Sequence, residues 1–304
     1  MKLIPVERPE DFLLAQQFIL PHEETSVSLA SLVRKKSDKL VFISSSDEAA
    51  LSSPSTNPGT ANTIVGILNL DSTIYHCIPD PSLLDADFIK TELPYLMKKP
   101  VRCISGETSG TQFLIDVFAK GGFDKASPPA QHYDYKMMRW TRPLSRVEES
   151  TLVPPGSTIE LSGGEEIIRC TEHDMEILHP LQKDYMKEEV AVPGRPITDA
   201  EVDISLRQIL KNQLCFALTV DGDIVAKANT NAIGINCVQI GGVYTHPLYR
   251  RNGYAGALVT ALCNRALRSG KQPVLFVKEK NTPAFSLYQK LGFEECGRYT
   301  IAYY

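Results

Sequence analysis

The strands and helices that the sequence predicts come in the same order twice. In each half, hydrophobic periodicity and turn residues predict a strand, two helices, three strands, a helix, a strand, a helix and a last strand. In the first half these segments lie at 3–6, 9–20, 26–34, 40–43, 64–70, 73–78, 82–98, 101–104, 111–120 and 133–140. In the second half they lie at 166–170, 173–189 and 198–211, in two strands around a turn at 221–223, in a strand that ends at 243, and at 257–268, 273–277, 281–292 and up to 304. The repeat predicts two mixed α/β folds in series.

Prolines and glycines mark the boundary between the two series. They cluster in the segment 142–164, which includes Pro154-Pro155-Gly156, a composition typical of linkers. We therefore expect a first domain at 1–141, a linker at 142–164 and a second domain at 165–304. A second segment rich in Ser, Pro, Asn and Gly, 52–62, is expected to be a long loop between two strands of the first domain.

A glycine-containing loop connects a predicted strand to a helix in the second domain. The strand ends at Val243-Tyr244-Thr245, and the loop opens into the helix at 257–268. Free N–H groups at a helix N-terminus bind anions, and a glycine permits a positive φ or a close backbone approach. Neither the G-x-x-x-x-G-K-[ST] loop nor the G-x-G-x-x-G loop is present. The loop therefore predicts a site for two linked phosphates, built from Arg250, Arg251, Asn252, Gly253, Tyr254, Ala255 and Gly256.

A second motif follows the next predicted strand. It runs from Asn281 through Ala284, Phe285 and Tyr288 to Gly292-Phe293, and it begins about 28 residues after Gly253. Read structurally, Asn281 is also a helix N-cap, and Gly292 ends the same helix.

Together, Arg250-x-x-Gly253-x-Ala255 and the second motif resemble two motifs of the GNAT superfamily of acyl-CoA-dependent N-acyltransferases, in particular the branch with glycine N-acyltransferase-like proteins. The resemblance implies that the loop holds the pyrophosphate of acetyl-CoA. It further implies that Asn281 contacts the pantetheine arm and that Tyr288 lies near the thioester sulfur. The expected coenzyme contacts are Val243, Tyr244, Thr245, Arg250, Arg251, Asn252, Gly253, Tyr254, Ala255, Gly256, Asn281, Phe285 and Tyr288.

The resemblance implies a fold of the α/β (α+β) class. We expect tandem GNAT-like folds, each a mixed, mostly antiparallel twisted sheet flanked by helices. The first copy is expected to be degenerate, because no R-x-x-G-x-A precedes its helix at 82–98. Aligning 121–123 with 291–293 places Thr111 where Asn281 stands, and Phe118 where Tyr288 stands.

Acyl transfer from a thioester to an amine needs donors for the carbonyl oxygen and a proton for the thiolate. The backbone at Val243 and Thr245 is the expected oxyanion contact, since Gly241-Gly242 permits a bulge in that strand. Tyr288 is the expected catalytic acid, because the pKa of a phenol, about 10, is suited to protonating a thiolate. A core packing role for Tyr288 remains open.

The general base stays open. No acidic residue occurs between Asn229 and Tyr249, where some GNAT enzymes have one. The candidates are Glu188, Glu189, His246 and a water molecule held by Gln239, although a solvated charge run also explains the two glutamates. A glutamate that faces the cleft would attract an acceptor that carries an ammonium group.

Composition limits the function classes. The chain has 304 residues with a formal charge of −4, and this balance argues against a nucleic-acid partner. Seven scattered cysteines and six histidines show no ligand spacing, so no metal is expected. No signal peptide pattern and no apolar run of about 18 residues is found, which predicts a cytoplasmic protein without a membrane partner.

The expected function is transfer of an acetyl group from acetyl-CoA to a primary amine, with a small amine or an amino acid as the favoured acceptor. A catalytically silent acyl-CoA sensor, a protein lysine acetyltransferase and a structural protein with two GNAT scaffolds are the alternatives. The acyl chain length is open, and so is a homodimer.

Overall fold

The computed structural model describes residues 1–45, 63–120, 129–143, 158–161, 164–191 and 195–304. Its strands are β1 (Lys2–Pro5), β2 (Leu40–Ser45), β3 (Thr63–Asn69), β4 (Thr73–Cys77), β5 (Cys103–Glu107), β6 (Gln131–Trp140), β7 (Thr158–Glu160), β8 (Glu166–Arg169), β9 (Cys215–Val220), β10 (Asp223–Ile233), β11 (Cys237–Thr245), β12 (Gln272–Lys278) and β13 (Phe293–Tyr303). Its helices are α1 (Pro9–Ile19), α2 (Val27–Arg34), α3 (Ala86–Leu96), α4 (Thr108–Lys120), α5 (Met175–Tyr185), α6 (Asp199–Asn212), α7 (Tyr254–Arg268) and α8 (Thr282–Leu291).

The predicted repeat of element order is confirmed. The order from β1 to β6 in the first half recurs from β8 to β13 in the second half. Two details differ from the expectation: the short strand β7 precedes the second series, and α5 continues as a π-helical turn at Met186–Val190. The expected loop at 52–62, most of the expected linker and the segment 121–123 lie outside the described residues.

The strands form one continuous, mixed and mostly antiparallel sheet, as the fold class predicts. Its order is β1-β2-β3-β4-β5-β13-β6-β12-β11-β10-β9-β8-β7. The last strand of each half has crossed into the other half, because β13 pairs with β5 and β6 pairs with β12. The two exchanged strands pair with each other along their whole length. The halves therefore share one sheet, which the sequence did not indicate.

Local signals explain where several elements begin and turn. Thr198 and Glu201 form the expected capping box at the start of α6. Positive φ angles at Asp221 (52°) and Gly222 (89°) make the tight turn between β9 and β10. Gly292, with a φ of 101°, ends α8 in the left-handed conformation. Among the described helices, none is long and apolar enough to cross a membrane.

Candidate active site

The parallel strands β11 and β12 separate partway along their length. They pair from Cys237 to Ile240, and the pairing then stops although both strands continue. At the same point a β-bulge interrupts the ladder with β10, where Tyr244 lies opposite Lys227 but Gly241 lies opposite Asn229. The expected bulge at the two glycines is therefore present, and it opens a gap between β11 and β12.

Gly242 is needed in this bulge for two reasons. Its φ is 57°, and a Cβ atom there would lie 1.9 Å from Oδ1 of Asn229. Beyond the bulge, the N–H of His246 donates to the carbonyl of Val225 on β10. Because backbone N–H groups alternate along a regular strand, that of Thr245 points away from β10 toward the gap, and Val243 lies beside it at the bulge.

The loop after β11 brings an uncapped helix N-terminus to the end of this gap. A 3₁₀ turn at Pro247–Tyr249 leads to Arg251 and Gly253, with φ angles of 71° and 83°. Gly253 is the N-cap of α7 and provides no side-chain cap. Within the described residues, the backbone N–H groups of 251–256 donate to no backbone carbonyl, and the first helical bond runs from Ala257 to Gly253. This is the geometry of an anion site.

Arg250 has protein partners rather than a free guanidinium group. Its Nη2 donates to Oε2 of Glu188 at 2.7 Å and its Nε to the carbonyl of Thr245 at 3.0 Å. The guanidinium also lies over the ring of Tyr244. The hydrogen bond to Glu188 raises the pKa of Arg250. Arg250 therefore joins the π-helical turn to the loop.

Two other side chains of the loop segment have hydrogen-bond partners, one within the loop and one outside it. Asn252 donates to the carbonyl of Tyr249 at 3.3 Å, and the hydroxyl of Tyr254 lies 3.4 Å from Glu165. A Cβ atom at Gly256 would meet Leu287 and Leu291 of α8 at 3.6 Å, so this glycine faces the neighbouring helix.

The second motif follows β12: Asn281 is the N-cap of α8, the helix carries most of the motif, and Phe293 begins β13. Oδ1 of Asn281 accepts from the N–H of Ala284 at 3.2 Å, as expected of an N-cap, and its Nδ2 lies 3.4 Å from Glu189. The ring of Phe285 lies 4.3 Å below Nζ of Lys136.

Tyr288 is buried in the core of the second half. Its ring packs edge-on against Phe293 with centroids 5.9 Å apart. Burial, reinforced by Tyr185 and Glu189, raises the pKa of Tyr288, so the phenol is protonated at neutral pH. These contacts agree with the packing role, and the raised pKa makes the buried phenol a weaker acid than a free one.

The candidates for a general base differ in whether they have a charged partner. Glu188 pairs with Arg250 at 2.7 Å, and Glu189 pairs with Lys278 at 3.1 Å. Both carboxylates thus have cationic partners. His246 keeps a buried Nδ1 that has no partner among the described residues, and its ring lies edge-on to Tyr249. His246 and a water molecule on Gln239 remain the candidates without a charged partner.

A cavity of about 610 Å³ lies between the two halves and reaches the bulge at Gly242. The first half lines it with Tyr75 and Ser105, and the hydroxyl of Ser105 is hydrogen-bonded to that of Tyr299 on the exchanged strand β13 at 2.8 Å. The part contributed by the second half includes seven carboxamides: Gln182, Gln208, Asn212, Gln213, Asn229, Asn231 and Gln239.

One of these carboxamides is incompletely satisfied. Gln182 is 1% exposed, and its Nε2 donates to Ser205 at 3.0 Å, but its Oε1 has no partner among the described residues. A buried acceptor without a partner costs free energy, and a ligand donor in the cavity would satisfy it. The sequence could not reveal this cavity, since strand exchange is what brings its two walls together.

Comparisons with known proteins agree with this architecture. A family model described as FR47-like protein matches residues 222–301, from β10 to β13. A solved structure from Novosphingobium aromaticivorans, described as an acetyltransferase of the GNAT family, aligns over 92% of this chain and 96% of its own, with 16% identity and a TM-score of 0.51. The whole chain has the fold of GNAT acetyltransferases.

Two further solved structures support the same fold over nearly the full length. A GNAT-family acetyltransferase from Colwellia psychrerythraea aligns over 100% of both chains, with 11% identity and a TM-score of 0.51. A protein from Drosophila aligns over 98% of this chain and 91% of its own, with 12% identity and a TM-score of 0.50. Both GNAT alignments extend across the first half as well as the second. Among curated proteins, none matches the chain significantly in sequence.

Proposed function

We propose that this protein transfers an acetyl group from acetyl-CoA to the primary amine of a small acceptor by direct attack. The observation that carries the proposal is the uncapped N-terminus of α7, which a short loop connects to the strand whose bulge separates β11 from β12. One continuous segment thus offers two sets of N–H donors. Those of 251–256 suit a diphosphate, and those of Val243 and Thr245 suit a thioester carbonyl. In this proposal 165–304 binds the coenzyme, while 1–141 supports the shared sheet.

Each chemical requirement then has a residue. The N–H groups of 251–256 bind the diphosphate, and the pantetheine arm enters the gap beside Asn281. The N–H groups of Val243 and Thr245 bind the carbonyl oxygen as it gains negative charge. The amine nitrogen bonds to the carbonyl carbon, the carbon–sulfur bond breaks, and Tyr288 protonates the thiolate. The proton that the amine loses passes to His246 or to water held by Gln239.

The acceptor is expected in the cavity between the halves. Lys35 is the charged residue among its described lining residues, and no described carboxylate lines it. Glu188 and Glu189 are already paired with cations. The cavity therefore favours an acceptor whose remaining groups are neutral or anionic, such as an amino acid or its amide, over a polyamine.

Two measurements test the proposal. Acetyl-CoA at about 100 times its dissociation constant should add about 2.7 kcal/mol of apparent stability in a thermal-shift titration. Release of the CoA thiol is then followed across amino acids, amino amides, diamines, aminoglycosides and a lysine peptide. The absence of any stabilisation contradicts the coenzyme site, whereas stabilisation without release on any amine identifies a sensor.

A further inference from the structure

Lys227 is a fully buried lysine in the middle of β10 and belongs to neither of the two motifs. Its Nζ donates to the carbonyl of Gly242 at 2.9 Å and to Oδ1 of Asn229 at 3.2 Å, and it lies 4.7 Å from the ring centroid of Tyr185. None of these partners carries a formal negative charge. A buried ammonium group without a counter-ion costs free energy. A methionine would fill the same space without that cost, so packing does not account for Lys227.

The titratable groups that face Lys227 come from three elements. They are Cys215 on β9, Cys170 after β8 and Tyr185 on α5. Burial lowers the pKa of Lys227 to about 8, and the two thiols oppose this shift. The hydrogen bond between the thiols raises the pKa of Cys170 and lowers that of Cys215, while burial raises the pKa of Tyr185 to about 12. Lys227 is therefore charged at neutral pH and loses its proton well before Tyr185.

The carbonyl that accepts from Lys227 belongs to a particular peptide unit. The N–H of the same unit is that of Val243, the group proposed to bind the thioester oxygen. Because the bulge shifts the pairing between Tyr244 and Gly241, the ammonium group supplies a donor to this carbonyl. A hydrogen bond to a carbonyl polarises its peptide and strengthens the N–H as a donor, and a charged donor does so more strongly.

We infer that Lys227 is a positioning residue for acyl transfer: its ammonium group fixes the bulge and polarises the Gly242–Val243 peptide, so that the N–H of Val243 stabilises the developing oxyanion. The inference rests on the proposed function, because it takes Val243 as a donor to the thioester. Lys227 acts through the peptide and does not touch the substrate.

The first test compares Lys227→Met with the wild-type protein across pH. In the wild type, kcat should fall as the pH rises past about 8, since the neutral amine polarises the peptide less. Lys227→Met should have a kcat about tenfold lower at pH 7 and no fall near pH 8, a smaller loss than the roughly 100- to 1,000-fold cost of removing an oxyanion donor. Its affinity for acetyl-CoA should change by less than about twofold.

A merely structural lysine gives a different result. Lys227→Met would then alter stability or coenzyme affinity but keep the fall in kcat near pH 8, and this outcome overturns the inference. Cys215→Ala is the matched control, because it removes the other group whose titration could produce the fall. The inference requires that Cys215→Ala keep the fall in kcat, with a midpoint at the same or a lower pH, because the Cys215 thiol raises the pKa of Lys227.

The second test needs neither activity nor a variant. The amide resonance of Val243 is followed by ¹⁵N–¹H NMR in the coenzyme-free protein, and it should titrate with a midpoint near pH 8. An amide that does not titrate overturns the inference. If the amide titrates but no amine accepts an acetyl group, the proposed function fails and the polarisation by Lys227 stands.

Discussion

In both halves a parallel strand pair separates partway along its length, but the space beyond it differs. In the first half, β4 and β5 pair only from Thr73 to Tyr75, and the next residue is His76. His76 is 1% exposed, and its Nε2 is hydrogen-bonded to the hydroxyl of Thr111 at 2.8 Å. Cβ atoms at Gly106 and Gly110 would lie 2.1 and 2.7 Å from its ring. The protein's own side chain thus fills the position where the second half has a glycine bulge.

The helix that follows the separated strand also differs between the halves, because a protein group occupies its N-terminus only in the first half. In both halves a proline-initiated 3₁₀ turn precedes it, at Pro81–Leu83 and at Pro247–Tyr249. The N-cap of α3 is Asp85, whose carboxylate accepts from the N–H of Phe88 at 3.0 Å, whereas the N-cap of α7 is Gly253, which has no side chain to cap the helix. Since a capping carboxylate occupies the donors that an anion needs, omitting the cap creates the binding site.

The largest expected effect comes from placing a carboxylate at the open terminus. Ala255→Asp should weaken acetyl-CoA binding about 1,000-fold, on the order of 4 kcal/mol, because a like charge then meets the diphosphate. The coenzyme-free protein should not lose stability, as an acidic residue in the first turn of a helix contributes about 0.5 kcal/mol. Calorimetric titration measures the affinity, and a loss of less than about threefold would show that the diphosphate binds elsewhere.

The matched control is Ala86→Asp in the first half. Ala86 is the first, exposed residue of α3, so this variant adds the same charge at the corresponding terminus. We expect unchanged coenzyme affinity. An equal loss in both variants would indicate a general charge effect.

The second effect concerns Tyr288, which the alignment of the two halves places opposite Phe118. Tyr288→Phe should lower kcat about 100-fold, or about 2.7 kcal/mol, with little change in coenzyme affinity, because the thiolate loses its proton donor. Release of the CoA thiol measures it. Tyr304→Phe is the control, since it also removes a phenol hydroxyl, but one that is buried in the core of the first half. A kcat within about twofold of the wild-type value leaves Tyr288 with a packing role only.

A third, smaller effect is that the stability of the protein depends on pH through His76 in the first half. Burial lowers the pKa of His76 to about 3 from an ordinary value of 6.5. Between these values the unfolded chain binds a proton that the folded protein does not, so stability falls as the pH falls, by about 1.4 kcal/mol per pH unit. Acidification from about pH 7.5 to about pH 5 should therefore cost the wild type about 2 kcal/mol more than His76→Gln.

Urea unfolding of both proteins at the two pH values measures this difference, in which the contributions of shared carboxylates cancel. Equal losses would mean that His76 is protonated in the folded state. Coenzyme affinity at neutral pH should be the same in both proteins, because His76 lies in the other half.

The features that could be predicted from the sequence are those that depend on residues close together in the chain. The element order, the Thr198–Glu201 capping box, the turn at Asp221-Gly222 and the bulge at Gly242 each depend on a short pattern, and each is present. The assignment of coenzyme contacts to 243–256 and to α8 stays a prediction.

The unpredicted features depend on contacts between distant segments. Nothing in β6 or β13 shows which half it will join, because antiparallel partners on a shared sheet have similar patterns. The pairing of Arg250 with Glu188 and the cavity lined by both halves follow from that choice and from the π-helical turn. The one local sign of a functional role for Lys227 was that this lysine stands among apolar residues of β10.

The smallest expected effect tests which of the two differences, the His76 side chain or the Asp85 cap, excludes the coenzyme from the first half. Asp85→Ala removes the carboxylate that caps α3 and should cost about 1 kcal/mol of stability. Acetyl-CoA should still bind with a stoichiometry of one per chain, measured by calorimetric titration, because His76 continues to fill the space beyond β4 and β5. A second bound coenzyme in Asp85→Ala would show that the cap alone excludes it. The filled strand gap would then be irrelevant to binding, and the contrast between the halves would reduce to one side chain at a helix terminus.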